Sequence, residues 1–144
     1  MKLRFLIALG LLSLSTVHAQ DIAKGVVYQD VNKSGTLDKG EKGLANVAVS
    51  NGVEVVLTDS QGRYNLPVED DQIIFVIKPR DFAYPLNDKK LPQFYYAHKP
   101  KGSPTLEYKA YGPTGKLPKQ VNFGLIPSLE NEDFKAFVFG DPQA

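Results

Sequence analysis

The chain has 144 residues with no cysteine and two histidines, and its 17 Lys and Arg against 16 Asp and Glu give a formal charge of +1. Without cysteine, thiolate zinc sites, thiol catalysis and disulfide stapling are excluded. A near-neutral charge supplies no electrostatic footprint for nucleic acid, so no nucleic-acid partner is expected.

At the amino terminus, Lys2 and Arg4 precede an apolar run from Phe5 to Leu14, and Val17-His18-Ala19 forms a small-residue cleavage site before Gln20. This is the plan of a secretory signal peptide over residues 1–19, which predicts a secreted or periplasmic protein. The apolar run is too short to span a bilayer, so no transmembrane segment is expected after cleavage. Removing Met1 to Ala19 takes away Lys2, Arg4 and no acidic residue, so the charge passes from +1 to −1. It also leaves His98 as the sole histidine, which limits histidine-based catalysis. About 125 mature residues suffice for one modest core.

From Lys24 to Lys78 the apolar residues come in short runs divided by turn residues, with no helical periodicity, as in an antiparallel β-sandwich. Gly25–Tyr28 reads as the first strand and Leu44–Ser50 as the second. Asn51-Gly52 suits a two-residue hairpin turn, from which Val53–Thr58 returns. Asp59-Ser-Gln-Gly62 turns into Arg63–Val68, a half-buried strand in which Tyr64, Leu66 and Val68 alternate with polar or turn-prone residues. Ile73–Ile77 is apolar at every position, as a central strand covered on both faces would be.

Between the first two strands lies Asp30-Val-Asn32-Lys-Ser34-Gly35-Thr36-Leu-Asp38-Lys-Gly-Glu41. Oxygen-bearing side chains fall at positions one, three, five and nine of twelve, with glycine at six and glutamate at twelve, the spacing of a calcium loop. Asp30, Asn32, Ser34, the Thr36 carbonyl, Asp38 and Glu41 are the expected ligands. A strand before the loop, and Gly40 and Gly43 after it, exclude a helix-flanked sensor and point to a static clip. With Lys33, Lys39 and Lys42 close in sequence, the expected affinity is that of extracellular modules, roughly 0.1 to 1 mM. A metal-free turn of Asp, Asn, Ser and Gly uses the same residue types.

From Pro79 to Lys119 the pattern weakens, and this stretch holds seven of the ten prolines. It is too long for an ordinary connection. Residues 80–127 are therefore read as an excursion rich in proline and tyrosine, followed by a last sandwich strand at Val121–Ile126. Tyr84, Phe94, Tyr95, Tyr96, Tyr108 and Tyr111 could stack on sugar rings or pack against another domain; His98 could face a substrate phosphate or be structural. Residues 128–133 read as a linker. Phe134-Lys-Ala-Phe-Val-Phe139 then reads as a buried strand delivering Gly140-Asp141-Pro142-Gln143, where open α/β sheets place metal and substrate groups. A frayed tail with a Gly-Asp-Pro turn is the alternative.

The run G-V-V-Y-x-D-x-N-x-S-G-x-L-D-x-G-E-x-G-L from Gly25 to Leu44, followed by N-G and T-D-x-x-G-x-Y-x-L, resembles the B-type β-sandwich of bacterial adhesins. It is also similar to the sandwich at the front of secreted calcineurin-like phosphoesterases. Tyr95–Pro104, Pro113–Pro118 and Phe134–Gln143 resemble the second group as it enters its catalytic domain. That resemblance implies a transthyretin-like or adhesin-B-like sandwich over residues 20–79, with its excursion and last strand over 80–127, and, over 134–144, the first strand and first metal motif of a truncated α/β metallophosphoesterase domain. It further implies a two-metal hydrolase of phosphate esters, with divalent ions as cofactors and a missing C-terminal catalytic domain as intramolecular partner. Asp141 aligns with the first metal-binding aspartate, and Gln143 stands where the common Asp-x-His motif has histidine. Later motifs of the family are absent, so this fragment is expected to be inactive alone. The competing reading is a non-enzymatic surface or carbohydrate-binding module stiffened by calcium.

Overall fold

The structure, a computed structural model, describes residues 21–104 and 111–133 together with Lys135, Val138 and Gly140. Among them there are eight strands and no helix: β1 (Asp21–Gln29), β2 (Ala48–Ser50), β3 (Val55–Leu57), β4 (Arg63–Val68), β5 (Gln72–Val76), β6 (Phe82–Ala83), β7 (Tyr95–His98) and β8 (Phe123–Pro127). They form two four-stranded sheets, ordered β4-β1-β8-β6 and β3-β2-β5-β7. The expected β-sandwich is present, and β1 beside β8 is its parallel pair.

Alternation explains which face each strand buries. In β4, Tyr64, Leu66 and Val68 are buried while Arg63 and Asn65 face water, because successive side chains of a strand point to opposite faces. The core joins Ala23, Val27, Leu66, Val68, Phe123 and Leu125 of the first sheet to Val49, Ile74 and Val76 of the second. Each buried Val, Leu, Ile or Phe side chain of this set contributes about 1.5 to 3 kcal/mol.

β1 is longer than expected and starts at Asp21, since its register with β4 runs from Asp21↔Val68 to Val26↔Arg63. The second and third strands are shorter. Asn51-Gly52 is part of a four-residue loop between β2 and β3 rather than a two-residue turn. The Asn51 amide explains the difference: its oxygen accepts from Val53 N and Glu54 N at 2.8 and 2.7 Å, and its nitrogen donates to the Pro67 carbonyl at 2.7 Å. Asn51 is thereby tied to β4, and Gly52 takes the positive φ of 90°.

The excursion after Pro79 also differs from expectation, because it contributes two strands. β6 pairs with β8, and β7 pairs with β5 from Gln72↔His98 to Phe75↔Tyr95. Tyr84, Phe94 and Tyr96 pack on the sandwich's own core. The Tyr84 hydroxyl donates to the Val76 carbonyl and accepts from Lys78 N, each at 3.0 Å, while its ring lies 5.0 Å from that of Phe94. Tyr95 and Tyr111 are exposed. β5 occupies the interior of its sheet as expected, but only one face is covered: Ile74 and Val76 are buried, whereas Ile73 and the following Ile77 are exposed.

Candidate functional site

The twelve-residue loop leaves the end of β1, where Asp30 N donates to the Leu125 carbonyl of β8 at 2.9 Å. That bond fixes Asp30 at the edge of the core, where the residue is 0% exposed. Its two carboxylate oxygens accept from Ser34 N and Gly35 N at 3.0 and 2.9 Å, which bends the loop back over the aspartate. Lys33 and Gly35 take the positive φ values of 59° and 73° that this tight turn requires.

The other expected ligands gather around the same turn. Asn32 Oδ1 accepts from Ser34 N at 3.1 Å, and Asn32 Nδ2 donates to Asp38 Oδ2 at 2.8 Å. Ser34 Oγ lies 2.7 Å from Asp38 Oδ2 and 3.0 Å from the Thr36 carbonyl. Glu41 closes the ring from the far side, accepting from Val31 N at 3.2 Å and from Asp38 N at 2.9 Å. All six residues singled out from the spacing thus belong to one hydrogen-bonded loop. It borders a shallow cavity of about 430 Å³ lined in part by Asn32, Asp38 and Glu41.

The loop carries three carboxylates, Asp30, Asp38 and Glu41, beside three lysines, Lys33, Lys39 and Lys42, so its formal charge is balanced. Among the described residues, no Lys or Arg forms an ion pair with Asp30, Asp38 or Glu41, although three lysines are close in sequence. Hydrogen bonds from Asn32 and Ser34 hold the Asp38 carboxyl below its ordinary range. The Tyr28 hydroxyl is pushed up to about 12, first by burial and then by Asp30, Glu41 and Asp38. Among the described residues, no three His, Cys, Asp or Glu side chains cluster closely enough to hold a metal by themselves. An ion here would need Asn32, Ser34 and the Thr36 carbonyl as well, an all-oxygen set that fits calcium's preference for six to eight hard ligands.

The motif residues that follow the loop have structural duties. Thr58, 3% exposed, accepts from Val47 N at 2.9 Å and donates to the Leu44 carbonyl at 2.6 Å. Asp59 caps its turn through Gln61 N and Arg63 N at 2.8 and 2.9 Å, which lowers its carboxyl's pKa, Arg63 N contributing most. Gly43 and Gly62 lie against one another, and a Cβ on Gly43 would overlap the Gln61 backbone. The Tyr64 hydroxyl donates to the Val121 carbonyl at 2.6 Å, and burial raises its pKa. Sequence reasoning misses these duties, because each depends on a partner brought close only by the fold; the signal that was present is that all five residues stand in the motif.

His98 is 1% exposed, at the end of β7. Neither ring nitrogen has a hydrogen-bond partner among the described residues, and Nε2 lies 4.0 Å from Asp70 Oδ1. Its burial fits the structural role over contact with a substrate phosphate. Asp141 and Gln143, the residues that the resemblance assigns to a catalytic metal, lie outside the described residues, as do Tyr108, Phe134, Phe137, Phe139 and the signal-peptide region. Among the described residues, no helix is long and apolar enough to cross a membrane.

Comparison with known proteins adds three findings. Colossin-B of Dictyostelium discoideum is 37% identical over 67 residues, which cover 40% of this chain and 2% of that protein; the chain thus spans only a small fraction of that relative. The crystal structure of the major plantain pollen allergen Pla l 1 matches 80% of this chain and all of its own, at 18% identity and a TM-score of 0.47. The family model for the N-terminal region of calcineurin-like phosphoesterases matches residues 31–110, from within the oxygen-rich loop to beyond β7. The chain therefore belongs to the family of N-terminal regions of calcineurin-like phosphoesterases.

Proposed function

We propose that this chain is the accessory front module of a secreted or periplasmic metallophosphoesterase, and that hydrolysis is performed by a domain opening at Phe134. The family match over residues 31–110 carries this reading. It is supported by the described motif residues Thr58, Asp59 and Tyr64, whose polar groups serve turns and strand junctions. In the whole enzyme, bound divalent ions would supply Lewis-acid and water-activating chemistry toward a phosphate ester. Asp141 would offer them a carboxylate, and Gln143 a neutral amide oxygen in place of an imidazole.

The front module's own ion is calcium in this reading, held by Asp30, Asn32, Ser34, Asp38, Glu41 and the Thr36 carbonyl. Calcium would balance the three carboxylates that have no basic ion-pair partner among the described residues. Because the loop leaves β1 and returns to it at Lys42 and Gly43, the ion would clip the loop closed against the β1 edge and stiffen that end of the platform that carries the hydrolase.

The test uses the full-length natural polypeptide. Metal-dependent hydrolysis of a nitrophenyl phosphate monoester or diester is expected, and Asp141→Asn should abolish it. Unchanged turnover in the variant removes Asp141 from the site. Absence of turnover in the unsubstituted polypeptide, with metal supplied, overturns the phosphoesterase reading.

A further inference from the structure

We infer, resting on the phosphoesterase reading above, that the outer face of the β3-β2-β5-β7 sheet is the seat of the domain following Asp133, and that residues 128–132 are a clamped strap delivering it there. The strand register places Val55, Ser50, Phe75 and Tyr95 in one row across this face, with Leu57 and Ala48 in a neighbouring row. Val55 is 60% exposed, Leu57 63%, Ile73 51% and Tyr95 46%. A sheet face with this composition is ordinarily covered, because contiguous apolar patches on soluble proteins mark interaction sites.

The chemistry of the groove on this face selects an apolar protein surface over a glycan. The groove encloses about 640 Å³ between Val53, Ile73, Phe75, Phe94 and Tyr95. Its polar rim is already engaged within the sandwich. The Asn51 amide is bonded to Val53, Glu54 and Pro67; Asp71 holds Lys99 at 3.0 Å; and Gln72 Oε1 accepts from Glu69 N at 3.0 Å. A sugar would meet aromatic faces with few free groups for its hydroxyls, whereas an aliphatic protein surface needs none.

The exit of the chain identifies the occupant. After β8, Ser128 N donates to the Asp81 carbonyl at 2.9 Å and Glu130 N to Asp81 Oδ1 at 3.0 Å. Lys78 pairs with Glu130, and Arg80 with Glu132 at 3.2 Å. These contacts pin the expected linker to the corner Lys78–Asp81, which begins one residue after Ile77, itself exposed at the end of β5. Asp133 thus follows a segment held near one end of the apolar face. A domain held on so short a tether has a high effective concentration at that face, and no second molecule is needed to cover it.

The experiment compares the natural polypeptide with a Val55→Lys/Ile73→Lys double variant and an Asn65→Lys control on the other sheet. Val55→Thr/Ile73→Thr serves as a milder pair that keeps the β-branched side chains. Thermal unfolding, proteolysis within 128–133 and nitrophenyl phosphate turnover are measured on each. A single coupled unfolding transition is expected to split in the face variants, with cleavage in the strap at least about tenfold faster, while Asn65→Lys behaves as wild type. Coupled unfolding and unchanged cleavage in both face pairs, with turnover present, overturn the docking inference and leave the phosphoesterase reading intact. No further domain and no turnover overturn both. A wild-type dimer in light scattering that the face variants convert to monomer gives the face to a second copy and overturns the inference.

Discussion

The two sheets present opposite kinds of outer surface. On the first, Arg63 pairs with Val26, Asn65 with Lys24 and Pro67 with Ile22, so charged or amide side chains interrupt the aliphatic ones. On the second, Val55, Leu57, Ile73 and Tyr95 stand exposed together. An antiparallel sheet with one wet face needs only inward apolar residues, and the first sheet follows that economy. The second has apolar residues in excess of what its own core uses, which is why its outer face is assigned a partner. The family motif follows the same division, with Gly43, Thr58, Asp59, Gly62 and Tyr64 directed to the construction of the sandwich.

The largest expected effect is at Leu66, buried in the shared core. Leu66→Ala should lower stability by about 2 to 5 kcal/mol in urea unfolding. Leu57→Ala, on the outer face, should change the 144-residue chain by no more than about 0.5 kcal/mol and cost more once a further domain is attached. Equal losses at the two leucines in the 144-residue chain would erase the contrast between inner and outer positions. Gly43→Ala comes next, because its Cβ meets backbone atoms that cannot move aside; a loss of about 1 to 3 kcal/mol is expected. A neutral result there would mean that the β1–β4 corner is looser than its hydrogen bonds indicate.

Calcium should have a smaller effect. With a dissociation constant of about 0.1 mM, 1 mM calcium adds roughly 1.4 kcal/mol, seen as a rise in melting temperature over chelator that Glu41→Ala removes. No rise in the unsubstituted chain would reject the calcium assignment. Asp38 and Asp59, whose carboxyl pKa values lie below the ordinary 3.8, give a modest acid limb. A lowered folded pKa contributes stability that is complete above the unfolded value and is lost as pH falls through the folded one. Stability should therefore decline on acidification below about pH 4, and less steeply in Asp59→Asn. At the other extreme, the Tyr28 hydroxyl, raised from 10.0 to about 12, should cost stability as pH climbs through that interval.

Much of this architecture is legible in the unfolded sequence. The alternation of Tyr64, Leu66 and Val68 marks β4 because polar neighbours separate its buried positions, and the loop's oxygen spacing marks the six residues that the structure brings together. β6 and β7 are hidden. Phe82-Ala83 is too short to show a period, and in Tyr95-Tyr-Ala-His98 aromatic residues occupy both faces, so burial leaves no alternation to read. Asn51-Gly52 carries a hairpin signal, but the long-range bond from Asn51 to Pro67 governs that loop, and no local rule reports such a bond. The strap has the sequence of a plain linker because its anchors, Lys78, Arg80 and Asp81, lie some fifty residues earlier in the chain.

The central claim is a division of labour between a front sandwich that supports and a following domain that hydrolyses. Its most direct measurement is side-by-side turnover of a nitrophenyl phosphate ester, with divalent metal, by the 144-residue chain and by the natural polypeptide at equal concentration. The account predicts hydrolysis by the natural polypeptide and none above background by the 144-residue chain. Metal-dependent turnover by the 144-residue chain alone would contradict it, because the chemistry would then reside in the sandwich itself.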